Sequence, residues 1–185
     1  MRWDVATTSR SLDNYLRSNG TVHDEREATL RIAEGALPPS LRGVLYRNGP
    51  GKMEVFGTRY DHPFDGDGMV TRLSFDGRAV HYRNRFVRTA EYAAESRAGR
   101  MLYRSFGTNL PGGFRRNFLN LRFKNAANTS VVLHAGKLLA LWEGGQPHAL
   151  DPGITSALCR SAGKLAAVGV ATSVLTGKPL AFQAE

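Results

Sequence analysis

Five short runs of strand-forming residues, each bounded by Gly, Pro, Asn or Asp, constrain this chain more than any other feature: residues 43–47, 68–75, 79–86, 130–133 and 137–143. Two neighbouring pairs are joined by the turn dipeptides Asp76-Gly77 and Ala135-Gly136. Such dipeptides close hairpins, because glycine accepts the left-handed backbone that a tight reversal requires. Connections this short join only antiparallel neighbours. The pattern therefore predicts an all-β chain built from meanders, as in a sandwich, a barrel or a propeller, and no internal repeat chooses among the three.

The remaining sequence divides around this core. Residues 1–33 read as a polar N-terminal extension in which Ser11 to Leu16 has the look of a short helix, and Leu37-Pro38-Pro39 interrupts any regular element, so the ordered part is expected to begin near Glu34. Residues 34–152 carry the strands. Residues 153–185 change character, with small residues dominating from Ala157 to Ala171, a composition that suits either a loose helix or a buried strand.

At 185 residues and 42% hydrophobic the chain can bury a core, which excludes the low-hydrophobicity class of disordered proteins. Cys159 is the only cysteine, so neither an internal disulfide nor a multi-cysteine zinc site is available, and a cytosolic setting is favoured. No stretch reaches the ~20 apolar residues of a membrane-spanning helix, and residues 1–20 lack the apolar core of a secretory signal.

The net charge of +9 is unevenly spread: residues 101–150 hold six Lys and Arg against one acid. Within that quarter, residues 114–124 interleave bulky apolar groups with cations, and Phe114, Phe118 and Leu121 follow helical spacing beside Arg115 and Arg116. Three readings fit such a segment: an anchor in a bilayer interface, a stacking surface for nucleic acid, or a core-packing helix with a solvated basic face.

Most familiar catalytic patterns are missing. His62-Pro63-Phe64-Asp65-Gly66-Asp67-Gly68 has aspartates two apart but too few oxygen ligands for a calcium loop, so it reads as a tight turn with Gly66 and Gly68 at positive φ and the aspartates accepting from backbone donors. Arg47-Asn48-Gly49-Pro50-Gly51 lacks the Lys-Ser/Thr ending of a phosphate loop and reads as a turn. The histidines at 23, 62, 81, 134 and 148 are scattered without ligand spacing and read as surface or turn residues. Glu143 differs, because it ends the apolar run Leu138-Leu139-Ala140-Leu141-Trp142. It is either a solvent-facing acid at a strand end or a carboxylate that orients a metal-bound histidine, and the residues alone weigh these equally.

Six segments in order resemble the carotenoid cleavage oxygenase family, especially its bacterial apocarotenoid oxygenases: 41–51, 62–70, 84–89, 124–129 (Lys124-Asn125-Ala126-Ala127-Asn128-Thr129), 139–148 and Leu150-Asp151-Pro152. The resemblance implies the N-terminal portion of a seven-bladed β-propeller, incomplete in this chain, whose full form holds Fe(II) with four histidines and uses O2 to cleave a double bond of a carotenoid or apocarotenoid. It places Glu143 on a glutamate that hydrogen-bonds an iron-bound histidine and Trp142 near the substrate passage. It turns the stretch with Phe114, Arg115, Arg116, Phe118 and Leu121 into a membrane patch, so lipid outranks nucleic acid as a partner and the protein is expected to be cytoplasmic and peripherally membrane-associated. Where the family carries Phe-x-Ala-His-Pro, whose histidine is the first iron ligand, this chain reads Phe182-Gln183-Ala184-Glu185. The chain alone is therefore expected to bind no iron and to be inactive, a fragment whose exposed strand edges the missing blades would cover. The alternative is a non-catalytic protein that binds a lipid surface or an apocarotenoid.

Overall fold

The computed structural model describes residues 19–153, together with Asn14 and the Arg160–Ser161 pair. The helix expected between Ser11 and Leu16, the small-residue tail and Glu185 thus lie outside the described residues, apart from Asn14 and those two tail residues. Among the described residues, the elements follow in order as β1 (Glu27–Leu30), β2 (Arg42–Lys52), β3 (Glu54–Val55), β4 (Thr58–Arg59), β5 (Asp67–Asp76), β6 (Val80–Phe86), α1 (Ala90–Ala98), α2 (Phe114–Asn117), β7 (Ser130–His134), β8 (Lys137–Leu141), β9 (His148–Leu150) and β10 (Arg160–Ser161). They form two four-stranded antiparallel sheets, β1-β6-β5-β2 and β10-β9-β8-β7, and a small β3-β4 hairpin. The all-β expectation is met by two sheets that resemble propeller blades.

Both expected hairpins are present, each with its own turn chemistry. Between β7 and β8, His134 pairs with Lys137 across Ala135 (φ 47°) and Gly136 (φ 73°), two consecutive left-handed residues that match the strand twist. Between β5 and β6, Gly77 sits at φ 85° and the Asp76 carboxylate accepts from Arg78 N (2.8 Å) and Ala79 N (2.7 Å). Those backbone donors favour the charged form and draw the Asp76 carboxyl down to about 2.

Several boundaries moved. The first sheet starts at Glu27, ahead of Glu34, because β1 pairs with β6 from Glu27↔Arg83 to Leu30↔Val80. The strand expected to stop at Arg47 runs on to Lys52, so Asn48-Gly49-Pro50-Gly51 is strand rather than turn, with a register shift between Pro50 and Lys52. Pro50 is tolerated because β2 is an edge strand whose outer donors need no partner. Helix α1 went unpredicted: its alanines and charged residues make no apolar stripe, and only the caps announce it, Thr89 Oγ1 accepting from Tyr92 N at 3.0 Å and Gly99 ending it at φ 61°.

Two apolar clusters hold the elements together. Val70, Val87, Ala127, Leu138, Ala140 and Leu150, with Tyr46 and Val131 against them, form the core shared by the two sheets. Met53, Val55, Tyr60, Met101 and Leu110 form a second core under the β3-β4 hairpin. On the edge strands β2 and β7, Val44, Leu45, Val132 and Leu133 are exposed.

Candidate functional site

The segment Lys124-Asn125-Ala126-Ala127-Asn128 joins the parts of this fold, and each of its residues has a separate task. Lys124 is 1% exposed. Its Nζ lies 2.6 Å from Asp67 Oδ1 and 2.6 Å from Glu95 Oε2 and donates to the Tyr60 hydroxyl at 2.7 Å, so its three N–H groups meet three acceptors. Burial alone would strip the ammonium of its proton, but Asp67, Tyr60 and Glu95 outweigh that and hold Lys124 above the ordinary lysine range. Burial, with Glu95 adding repulsion, pushes the Asp67 carboxyl up against the pull of Lys124, and burial also raises Tyr60. Glu95 Oε1 accepts from Leu102 N (2.9 Å) and Tyr103 N (3.3 Å), so the cluster ties strand β5, helix α1 and the chain around it.

The other residues of the segment lock the Asp65–Gly68 turn and the second sheet. Asn125 Nδ2 donates to Gln146 O (2.9 Å), Asn48 Nδ2 donates to Ala127 O (2.8 Å), and Asn128 Nδ2 donates to Phe64 O (2.7 Å) and Gly66 O (2.6 Å). Gly68 N donates to Ala126 O at 2.8 Å. Neither Gly66 nor Gly68 has positive φ, contrary to the sequence expectation; glycine is required there by close approach. A Cβ on Gly68 would lie 2.2 Å from Ala127 O, and one on Gly66 2.5 Å from Met53 Sδ. Asp65 does accept from backbone, at Gly107 N (3.0 Å), and from Thr108 Oγ1 (2.6 Å), whereas Asp67 pairs with Lys124.

Trp142 and Glu143 sit together at one end of the second sheet. Strand β8 stops at Leu141, two residues earlier than expected, and Trp142 to Gly145 forms a turn closed by Gly145 N donating to Trp142 O at 3.2 Å. Gly144 and Gly145 let this turn fold over the half-buried indole: a Cβ on Gly144 would lie 2.5 Å from Trp142 Cη2, and one on Gly145 2.4 Å from Asn125 Nδ2. Glu143 is exposed at the tip. Thr129 reaches the same end, its N–H and Oγ1 both donating to Leu141 O (3.1 and 2.9 Å). The sequence reading passed over Thr129, because only the β7-β8 register brings it beside Trp142.

The cationic aromatic stretch is an excursion from the body. Its base is closed by Arg104 N donating to Arg122 O (3.1 Å) and Lys124 N to Arg104 O (2.8 Å). The expected helical stripe is broken: α2 is a single turn, Phe118 is extended and Leu119 has φ 56°, so Leu121 leaves the face of Phe114. Asn117 ends the helix by folding back, Oδ1 accepting from Leu110 N (2.8 Å) and Nδ2 donating to Leu110 O (2.8 Å) and Gly113 O (2.9 Å). Phe114 (77%), Phe118 (59%) and Leu121 (79%) are exposed, as are Arg115 and Arg116, so none of them packs into either core described above. Lys124, counted with this cationic run from the sequence, belongs instead to the buried cluster.

The histidines do not assemble. His148 is buried in β9 rather than on the surface, its Nδ1 lacks a partner, and burial lowers its affinity for a proton. Among the described residues no group of three or more His, Cys, Asp or Glu side chains could hold a metal ion, so the described part does not fit the iron that the resemblance implies. No helix among them is long and apolar enough to cross a membrane.

Comparison with known proteins accounts for this architecture. The family model described as RPE65, retinal pigment epithelial membrane protein, matches residues 19–169. Apocarotenoid-15,15'-oxygenase of Synechocystis is 48% identical over 78% of this chain and 30% of its own length, and carotenoid cleavage dioxygenase 7 of rice is 42% identical over 66% of this chain and 21% of its own. A solved structure of a threonine-to-alanine variant of the Synechocystis enzyme superposes with a TM-score of 0.75 at 44% identity, covering 80% of this chain and 31% of that one. Other solved variants of the same enzyme replace a tryptophan by alanine and the glutamate after it by glutamine. The chain thus spans less than a third of these relatives and folds as the N-terminal portion of their propeller. It belongs to the RPE65 and carotenoid oxygenase family.

Proposed function

We propose that this chain is the N-terminal part of an Fe(II)-dependent dioxygenase that cleaves a double bond of an apocarotenoid or carotenoid, inserting both atoms of O2 so that one alkene gives two carbonyls. The observation that carries this reading is the triad at the end of the second sheet. Thr129, Trp142 and the adjacent Glu143 have the same spacing as the threonine, tryptophan and glutamate replaced in the Synechocystis variants. The register of β7 and β8 gathers all three at one end of the second sheet. Iron and the O2 chemistry belong to the complete enzyme, and the described part contributes orientation. Exposed Glu143 is free to accept a hydrogen bond from a ligand histidine, a contact that fixes ring tautomer and direction. Trp142, held against Gly144 and Gly145, offers a fixed apolar wall to a polyene. The exposed excursion with Phe114, Phe118 and Leu121 suits a peripheral membrane attachment, where such a substrate dissolves, and the reading takes the cytoplasmic face as the protein's location.

The test is Glu143→Gln in the full-length protein. Iron retention or turnover of an apocarotenoid is expected to fall about 10- to 100-fold with unchanged folding. Unchanged iron content and turnover would remove Glu143 from this role, and absence of cleavage by the iron-loaded unmodified protein would remove the function.

A further inference from the structure

Asn125 follows the buried Lys124 directly, and its carboxamide reaches the turn that carries Trp142 and Glu143. Nδ2 donates to Gln146 O at 2.9 Å and Oδ1 accepts from Ala127 N at 3.1 Å, so backbone holds the planar group at both ends. A carboxamide meets both demands at once, because the Ala127 N–H needs an acceptor and the Gln146 carbonyl needs a donor. Asn125 is 9% exposed, which leaves little water to replace either bond.

The same carboxamide lies beside the indole. A Cβ on Gly145 would be 2.4 Å from Asn125 Nδ2, 2.7 Å from Asn125 Cγ and 3.0 Å from Trp142 Cε3. Amide and ring edge therefore converge on the space that Gly145 leaves empty. A Cβ on Gly144 would strike the same ring elsewhere, 2.5 Å from Cη2 and 2.7 Å from Cζ3. Two consecutive glycines give this turn little stiffness of its own, and its closing bond, Gly145 N to Trp142 O, is long at 3.2 Å. A fixed ring needs an anchor from outside the turn, and Asn125 supplies one by bonding the carbonyl of Gln146 just past it.

We infer that Asn125 is the positioning residue for Trp142, pinning the turn over residues 142–146 to the Lys124–Asn128 segment and so setting the direction in which the indole meets a polyene. The inference rests on the role proposed for Trp142 and adds the residue that acts through it.

The test uses the indole as its own reporter. Trp3 and Trp142 are the only tryptophans, so Trp3→Phe leaves one. In that background the emission of the 185-residue chain is expected to move to longer wavelength, and its anisotropy to fall, in Asn125→Asp and in Asn125→Ser. The first change sets a carboxylate against the Gln146 carbonyl, and the second is too short to reach both partners. Lowering the pH should reverse the shift in Asn125→Asp, since a protonated carboxyl again donates to Gln146 O, and should leave it in place in Asn125→Ser. Val55→Ala, which opens the separate core under the β3-β4 hairpin, should leave the emission unchanged. In apocarotenoid cleavage by the full-length protein, Asn125→Ser should raise KM about fivefold and change kcat less. Circular dichroism shows which variants are folded, and a failure of the charged one leaves Asn125→Ser to decide. Parent-like emission in the folded Asn125 variants overturns the inference, as does the same shift in Val55→Ala or a shift in Asn125→Asp that low pH leaves intact. The emission uses neither iron nor turnover, so absence of cleavage removes the oxygenase reading without altering this result.

Discussion

Lys124 and the arginines at 115 and 116 are close in sequence and opposite in environment. Lys124 is enclosed by Asp67, Glu95 and Tyr60 with every donor used, whereas Arg115 and Arg116 face solvent with no carboxylate near. The difference shows what a cation contributes in each place. In the hub its charge compensates carboxylates that could not otherwise be buried, so it acts on the fold. On the excursion its charge is left uncompensated, which benefits the free molecule little and is available to a partner.

The contrast is broken most directly at Lys124. Lys124→Met leaves two buried carboxylates facing an apolar side chain and is expected to cost about 3–5 kcal/mol in urea unfolding, whereas Arg115→Gln should stay within about 0.5 kcal/mol. Comparable losses at the two positions would mean that the hub is not the compensated cluster described.

A smaller effect tests the hub through its backbone. Gly68→Ala places a methyl carbon against Ala127 O, backbone that cannot swing aside, and is expected to cost about 1–3 kcal/mol. The same change at Gly113 meets open space, so any penalty there comes from its φ of 71° rather than from contact. A stable Gly68→Ala chain would show that the hub can separate from strand β5.

The smallest effect is in the pH dependence of the thermal midpoint. The Asp67 carboxyl is raised in the folded chain, so the fold binds that proton more tightly than the unfolded chain does, and the contribution of Asp67 declines as pH rises from the ordinary carboxylate value towards the folded one. Asp76 runs the other way. Its carboxyl is lowered to about 2, so its contribution is present above about 3.8 and is lost as pH falls between those values. Asp67→Asn should flatten the first slope and Asp76→Asn the second. Identical profiles for both variants would contradict the two environments.

Local pattern was enough for strands β2, β5, β6, β7 and β8. Hairpin turns at Asp76-Gly77 and Ala135-Gly136 depend on neighbours in sequence, whereas Glu143 only stood out at the end of an apolar run and its role, with that of Trp142, came from the family resemblance. Helix α1 was legible only in its caps, Thr89 and Gly99, because a helix that buries little more than Glu95 shows no apolar stripe. Thr129 joins Trp142 through a backbone acceptor in the neighbouring strand, a relation that no spacing within one strand encodes.

The order of residues thus sufficed for the all-β meander, the concentration of positive charge in residues 101–150, and the six motifs that mark the family. Only the tertiary structure decided which cations are buried, why Gly66 and Gly68 must be glycine, and where the aromatic stripe ends. The physical reason is range. Turn preference and strand period act over a few residues, whereas desolvation and close approach depend on groups such as Asp67, Ala127 and Tyr60 that come from distant parts of the chain and meet only once it has folded.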